Sequence, residues 1–206
     1  MEHIVKTREL CFAQHLKCLD NDSYIEKFFL YSVSPILTGV RPSALICFRH
    51  CCRNAWYKLK RKLCSATGLN AAELHDGRCS FSVLVYDNRL LFDHIENPNA
   101  QNILARNGYP SGKCLSEFLS HLKSRFSGDK YPHEIGVFLG YPPDDVNSFI
   151  ETGGRDFLCC KYWKVYHNKQ RAMETFTFID EARSLAISLL TQQIPINAVA
   201  KILKAK

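Results

Sequence analysis

Between His133 and Ile150 the chain reads HEIGVFLGYPPDDVNSFI, a mostly apolar stretch interrupted by Gly140 and by Pro142 and Pro143. Proline removes a backbone donor and fixes φ, and glycine favours turns, so no single regular element runs through this segment. Ile135, Phe138 and Leu139 recur at helical spacing between Pro132 and Gly140, and Pro143-Asp144-Asp145 opens a second helix that stops at Gly153-Gly154. Helix, turn, helix is expected, with a buried strand over Ile135–Tyr141 as the alternative.

The rest of the chain predicts a mainly helical α+β fold, taken as one domain over residues 1–206. Ser80–Tyr86, SFSVLVY, is the clearest strand, being rich in β-branched and aromatic residues and ending at Asp87-Asn88. Ser43–Phe48 and Tyr162–Tyr166 complete a small sheet of about three strands covered by helices. Helices are expected over 7–30, with a break and fresh N-cap at Asp20-Asn21-Asp22-Ser23, and over Arg49–Ser65, ending near Gly68. Others follow at Arg89–Ile95, Pro98–Asn107, Ser111–Phe126 and Lys169–Gln192, with a last one opened by Pro195. Ser34–Pro42 reads as a turn-rich crossing, since it contains Pro35, Gly39 and Pro42. The expected core holds Leu45, Val83, Val85, Phe138, Leu139, Phe149, Trp163 and Val165.

With 46% hydrophobic residues in 206, the chain can bury a sizeable core. Its first twenty residues lack the continuous apolar run of a secretory signal, and no window approaches eighteen uninterrupted apolar residues, so a cytoplasmic protein without a membrane span is expected. The ten cysteines are then read as reduced thiols. The net charge of +7 is concentrated, with Arg49, Arg53, Lys58, Lys60, Arg61 and Lys62 inside fourteen residues that contain no acid. Such a run suits an anionic partner: nucleic acid, a phosphate-bearing cofactor or an acidic protein. The alternative is a solvated helix face over a buried stripe of Trp56 and Tyr57.

Several constellations offer chemistry. His133 and Glu134 follow Pro132, where a helix start favours a carboxylate or an anion, and Cys160 is the nearest motif-grade partner for the imidazole. Asp144 and Asp145 point about 100° apart on a helix and read as N-terminal charge rather than as an acid–base pair. Cys11, His15 and Cys18 share one helix face and form a candidate metal-ligand set, against a packing role. The cluster CFRHCC, from Cys47 to Cys52, lacks paired zinc knuckles. Neither a G-x-S-x-G elbow nor a phosphate-cradling glycine loop is present, and no cofactor is specified. The C-terminal helix pair outlines a helix-turn-helix, but a packed hairpin is the expected reading because base-reading side chains are missing.

The run Pro132–Pro142 (PHEIGVFLGYP) and the run Cys160–Tyr166 (CKYWKVY) resemble the signature of an uncharacterised bacterial family, domain of unknown function 3793. Pro35–Leu45 (PILTGVRPSAL) is similar to that family's early segment, and Val83–Tyr86 and Gly108-Tyr109-Pro110 fall in the same order, so the likeness spreads over residues 33–178. Two departures stand out: Val33 lies where members often carry Cys, and Lys161 where they carry Gly. The resemblance implies candidate positions at His133, Glu134, Cys160 and Trp163 without an activity.

Together these readings favour a binding or redox- or metal-accessory protein whose pocket is built from the two signature runs, with His133, Glu134, Tyr141, Cys160 and Trp163 as its candidate residues. Alternatives are a small hydrolase or transferase with His133 as general base, and weak binding of an anionic partner through residues 49–62.

Overall fold

The computed structural model describes residues 2–111, 114–126, 131–192 and 194–206 and shows a mainly helical α+β protein. A three-stranded antiparallel sheet has the order β1-β3-β2, with β1 Ser43–Arg49, β2 Asn70–Asp76 and β3 Ser80–Tyr86. Central β3 pairs Val83 with Ile46 on one side and with Glu73 on the other. Phe81 through Val85 are all buried because helices cover both faces of this strand.

The period-two alternation of β3 divides the molecule into two apolar layers. Phe81, Val83 and Val85 face one layer with Ile46 and Phe48. It is completed by α1 Glu2–Lys17, α2 Asn21–Leu37, α3 Arg53–Thr67, α9 Lys169–Thr191 and α10 Ile196–Lys204. Leu84 and Leu74 face the other, filled from α4 Asn88–Ile95, α5 Pro98–Arg106, α6 Leu115–Arg125, α7 Ile135–Phe138 and α8 Pro143–Thr152. A third, small cluster joins Trp163 and Val165 to Ala172, Phe176 and Ile179 of α9. α10 packs on α2, α3 and α9 and buries Val199, Ala200 and Leu203, which makes the C-terminus a packed hairpin.

Three expectations need correction. The third strand of the sheet is β2, not Tyr162–Tyr166, of which Lys164–Val165 (β5) pairs with Cys159–Cys160 (β4) in a separate ladder. The β2 sequence NAAELHD contains poor strand formers and carries a bulge between Glu73 and His75, so pairing with β3 rather than local preference makes it a strand. Second, α2 runs through Pro35 to Leu37, although a crossing was expected from Ser34. Pro35 has no N–H for the Tyr31 carbonyl, and the Ser34 hydroxyl donates to that carbonyl instead, at 2.8 Å. The chain turns only at Gly39, φ 73°. Third, Arg49 belongs to β1 and a 3-10 turn, His50–Cys52, separates it from α3; Gly68 ends α3 at φ 65°, as expected.

Smaller boundary shifts have local causes. Asp20 caps α2 by accepting from the N–H groups of Asp22 and Ser23, so the break in the first helical region falls at its expected place. α6 begins at Leu115 rather than Ser111, and residues 112–113 of that expected helix lie outside the described ones. Leu45, Leu139 and Phe149 of the expected core are half-buried; the other five are buried. All ten cysteines are free thiols. Among the described residues no helix is long and apolar enough to cross a membrane.

Candidate functional site

The segment after Pro132 folds as a single helical turn, α7, then a sharp bend, then α8. Two glycines make this compact. A β-carbon at Gly136 would come within 2.8 Å of Val146 Cγ2 and 3.0 Å of Tyr141 Cδ2, so its absence lets α8 and Tyr141 close onto α7. Gly140 adopts φ 71°, a left-handed conformation that closes the bend and faces the loop after α2.

Asp145, in the first turn of α8, is only 2% exposed. Its carboxylate accepts from Trp163 Nε1 at 2.8 Å, from Tyr166 N at 2.9 Å and from His167 N at 2.8 Å. Three donors satisfy a buried carboxylate and clamp the β4–β5 hairpin across α8. Trp163 then stacks on Tyr141, with centroids 5.3 Å apart, and meets the edge of Phe176 at 4.5 Å. The two signature runs are thereby brought face to face.

Between them lies a half-enclosed cavity of about 310 Å³. His133, Tyr141, Cys160 and Trp163 all line it. The His133 ring, at the exposed rim, stands edge-on to Phe149 at 5.2 Å, and Cys160 is exposed as well. Ile135, Leu139 and Val146 supply apolar wall. Two lysines at the mouth are already engaged: Lys161 pairs with Asp180 at 2.5 Å, and Lys164 donates to the Gly154 carbonyl at 2.6 Å. An aromatic-walled recess with an imidazole and a thiol at its edge suits a small, largely apolar ligand held by few polar contacts.

Glu134 does not join this cavity. It is 1% exposed and accepts from Arg125 Nε at 2.8 Å and from the Tyr109 hydroxyl at 3.2 Å. Burial and the adjacent carboxylate push the Tyr109 hydroxyl well above the ordinary phenol range. Glu134 thus ties α7 to α6 and to the Gly108-Tyr109-Pro110 segment, and it makes no capping hydrogen bond to α7. The Glu134 carboxylate is thus engaged away from the recess that His133 lines.

The remaining candidate sets fare differently. Among the described residues no three His, Cys, Asp or Glu side chains converge to hold a metal ion. Cys11 and His15 are exposed on α1, and Cys18 is exposed in the turn that follows it; Cys18 donates to the Gln14 carbonyl at 3.7 Å, and His15 Nε2 lies 3.0 Å from Lys27 Nζ. In the basic run, Arg53 pairs with Asp76, Lys58 with Asp22, Lys60 with Glu73 at 3.2 Å and Lys62 with Glu26 at 2.8 Å. Arg49 lies 5.9 Å from the Tyr24 ring centroid, and Arg61 is exposed. An anionic partner would therefore have to displace four ion pairs contributed by α2 and β2. Trp56 is buried as expected, but Tyr57 is 44% exposed and donates to Glu73 at 2.9 Å.

Sequence reasoning missed Tyr131 at the cavity rim, Asp145 as the hairpin clamp, and a pair of arginines, Arg41 and Arg183, behind Tyr141 and Tyr162. Asp145 carried a readable signal, an acid at a helix start facing a Trp-containing run. Arg41 lay inside the Gly39–Pro42 block without a visible partner, and Arg183 lay in a long amphipathic helix with nothing to mark it.

A family model described as "Protein of unknown function (DUF3793)" matches residues 29–200. No curated protein and no solved structure matches the chain.

Proposed function

The chain belongs to the DUF3793 family, and from that premise we propose that it is a binding protein for a small, largely apolar ligand, with the cavity between the PHEIGVFLGYP and CKYWKVY runs as its site. One observation carries the reading: two signature runs, separated in the chain, close on a shared recess whose walls are aromatic and whose rim holds His133 and Cys160. Tyr141 and Trp163 form the rigid wall, and Asp145 fixes the hairpin against it. A redox-accessory role rests on the exposed Cys160 thiol at that rim. The ten free thiols suit a reducing compartment such as the cytoplasm. A hydrolytic role for His133 draws no support from Glu134, whose carboxylate is taken by Arg125 and Tyr109.

The test uses the neutral aromatic probe 2-naphthol and the intrinsic fluorescence of the protein. Saturable quenching is expected in the wild type, because Trp163 lines the recess. The Cys160→Trp variant places a bulky ring at the exposed rim without disturbing the core, and should abolish saturation while melting at the wild-type temperature. Equal quenching in the two proteins would overturn the reading.

A further inference from the structure

A second cavity, of about 370 Å³, adjoins the first and shares Tyr131, Leu139, Tyr141 and Tyr162 with it. It opens where the end of α2, the start of β1 and α9 meet, and Arg41 and Arg183 both line it. We infer that this second cavity is a receptor for the carboxylate or phosphate group of a small ligand, held by Arg41 and Arg183. The inference goes beyond the binding site proposed above, and neither depends on the other.

The guanidinium of Arg41 is the central observation. Arg41 is 9% exposed, and its Nη1 is buried with no hydrogen-bond partner. Arg183 Nε is buried and unpartnered in the same way. Among the described residues neither arginine has an ion pair. The nearby acids are engaged elsewhere: Asp180 by Lys161 and by the Tyr162 hydroxyl at 2.5 Å, and Glu9 by the Tyr31 hydroxyl at 2.8 Å. The serines of the cavity are taken too, since Ser32 donates to Phe28 O and Ser43 to Phe138 O, both at 2.7 Å.

Both cations rest instead on aromatic faces. Arg41 lies 4.6 Å from the Tyr141 centroid and 5.2 Å from that of Trp163; Arg183 lies 5.1 Å from Tyr31 and 4.8 Å from Tyr162. Stacking holds a guanidinium by its plane and leaves its edge, where the N–H donors project, available to an acceptor. Burial lowers the pKa of Arg41, the Tyr141 side chain opposes this, and Arg183 adds repulsion. Arginine nevertheless keeps its proton in proteins, so two cations line one cavity whose described lining holds no carboxylate. Burying a charge unpaired is costly, and a carboxylate or phosphate answers both the charge and the vacant donors, with the planar fork suited to two-point contact. The floor of Pro35, Ile36, Ala44 and Leu45 is apolar and excludes competing water from one side.

The experiment is a thermal-shift titration at constant ionic strength with sodium benzoate, sodium phosphate and, as the uncharged control, benzamide. Benzoate, phosphate or both should raise the melting temperature saturably below about 10 mM, within the range of weak small-molecule sites, and benzamide should not. A response to benzoate alone identifies a carboxylate site, and a response to phosphate alone a phosphate site. Arg183→Met, at a half-buried position, should weaken the half-saturation at least tenfold, and Arg41→Met should do the same. Arg41→Lys keeps the charge and tests Arg41 even where the methionine variant fails to fold; it should retain a weakened response. Lys201→Met, an exposed cation of α10 that lines neither cavity, should respond as the wild type does. No saturable response to either anion, or a response that persists in Arg183→Met and Arg41→Lys at wild-type strength, would overturn the inference.

Discussion

Gly140 is seated directly on Pro42: a β-carbon at position 140 would come within 2.3 Å of Pro42 Cδ and 2.6 Å of Cγ. This contact joins the loop after α2 to the bend before α8 and so lays Tyr141 against Arg41. It makes one position decisive for both cavities. Gly140→Ala combines a left-handed backbone with a clash against a rigid ring, and should cost about 3 kcal/mol or more, read by urea denaturation. A loss under about 1 kcal/mol would show that the bend relaxes freely.

Asp145→Ala leaves the indole N–H of Trp163 and two backbone N–H groups without their acceptor. Each stranded donor costs about 1–3 kcal/mol, partly relieved by water entering from the cavity, so a net loss of roughly 3 kcal/mol is expected. Tryptophan emission should shift to the red as Trp163 leaves its wall.

Glu134→Ala should be milder. Arg125 is 42% exposed at its side chain and can turn to water, whereas the buried Tyr109 hydroxyl loses its acceptor. About 1–2 kcal/mol is expected from that single group. Adding Tyr109→Phe to this variant should recover part of the loss, because the stranded hydroxyl goes with it; a further large loss would show that the hydroxyl serves another acceptor.

His94 predicts a pH dependence. Its Nε2 is buried without a partner, and burial lowers its pKa below the ordinary imidazole value, with Arg41 adding to the effect and the Tyr141 backbone opposing it. The unfolded chain therefore takes up this proton first as pH falls. The contribution of neutral His94 is present above about 6.5 and is lost as pH drops from there through the lower folded-state pKa. Denaturation midpoints should fall across that window in the wild type, and the His94→Phe variant should show a flatter profile.

Much of the fold was legible because its signals are local. The alternating and apolar character of Ser80–Tyr86, the caps at Asp20 and Gly68, and the Pro–Gly punctuation around residues 132–154 each act within a few residues. β2 was illegible because NAAELHD becomes a strand only by pairing with β3, and helix α2 was cut short because the Ser34 hydroxyl that accommodates Pro35 is a three-dimensional detail. The same distinction runs through the candidate site. His133, Tyr141, Cys160 and Trp163 sit in motifs dense with polar and aromatic groups, and all four line one recess. Glu134 belongs to the same motif yet turns inward, since Arg125 and Tyr109 approach from other elements. The pairing of Arg53, Lys58, Lys60 and Lys62 was hidden for a parallel reason: Asp22, Glu26, Glu73 and Asp76 come from α2 and β2, not from within the run.

The most direct measurement of the central claim is a two-dimensional amide-resonance titration of the intact protein with 2-naphthol. The binding account predicts saturable shifts concentrated at Tyr131, His133, Tyr141, Cys160 and Trp163, with the amides of α1 and α10 unmoved. Shifts that saturate at a different surface, or that grow linearly and scatter over the molecule, would contradict it.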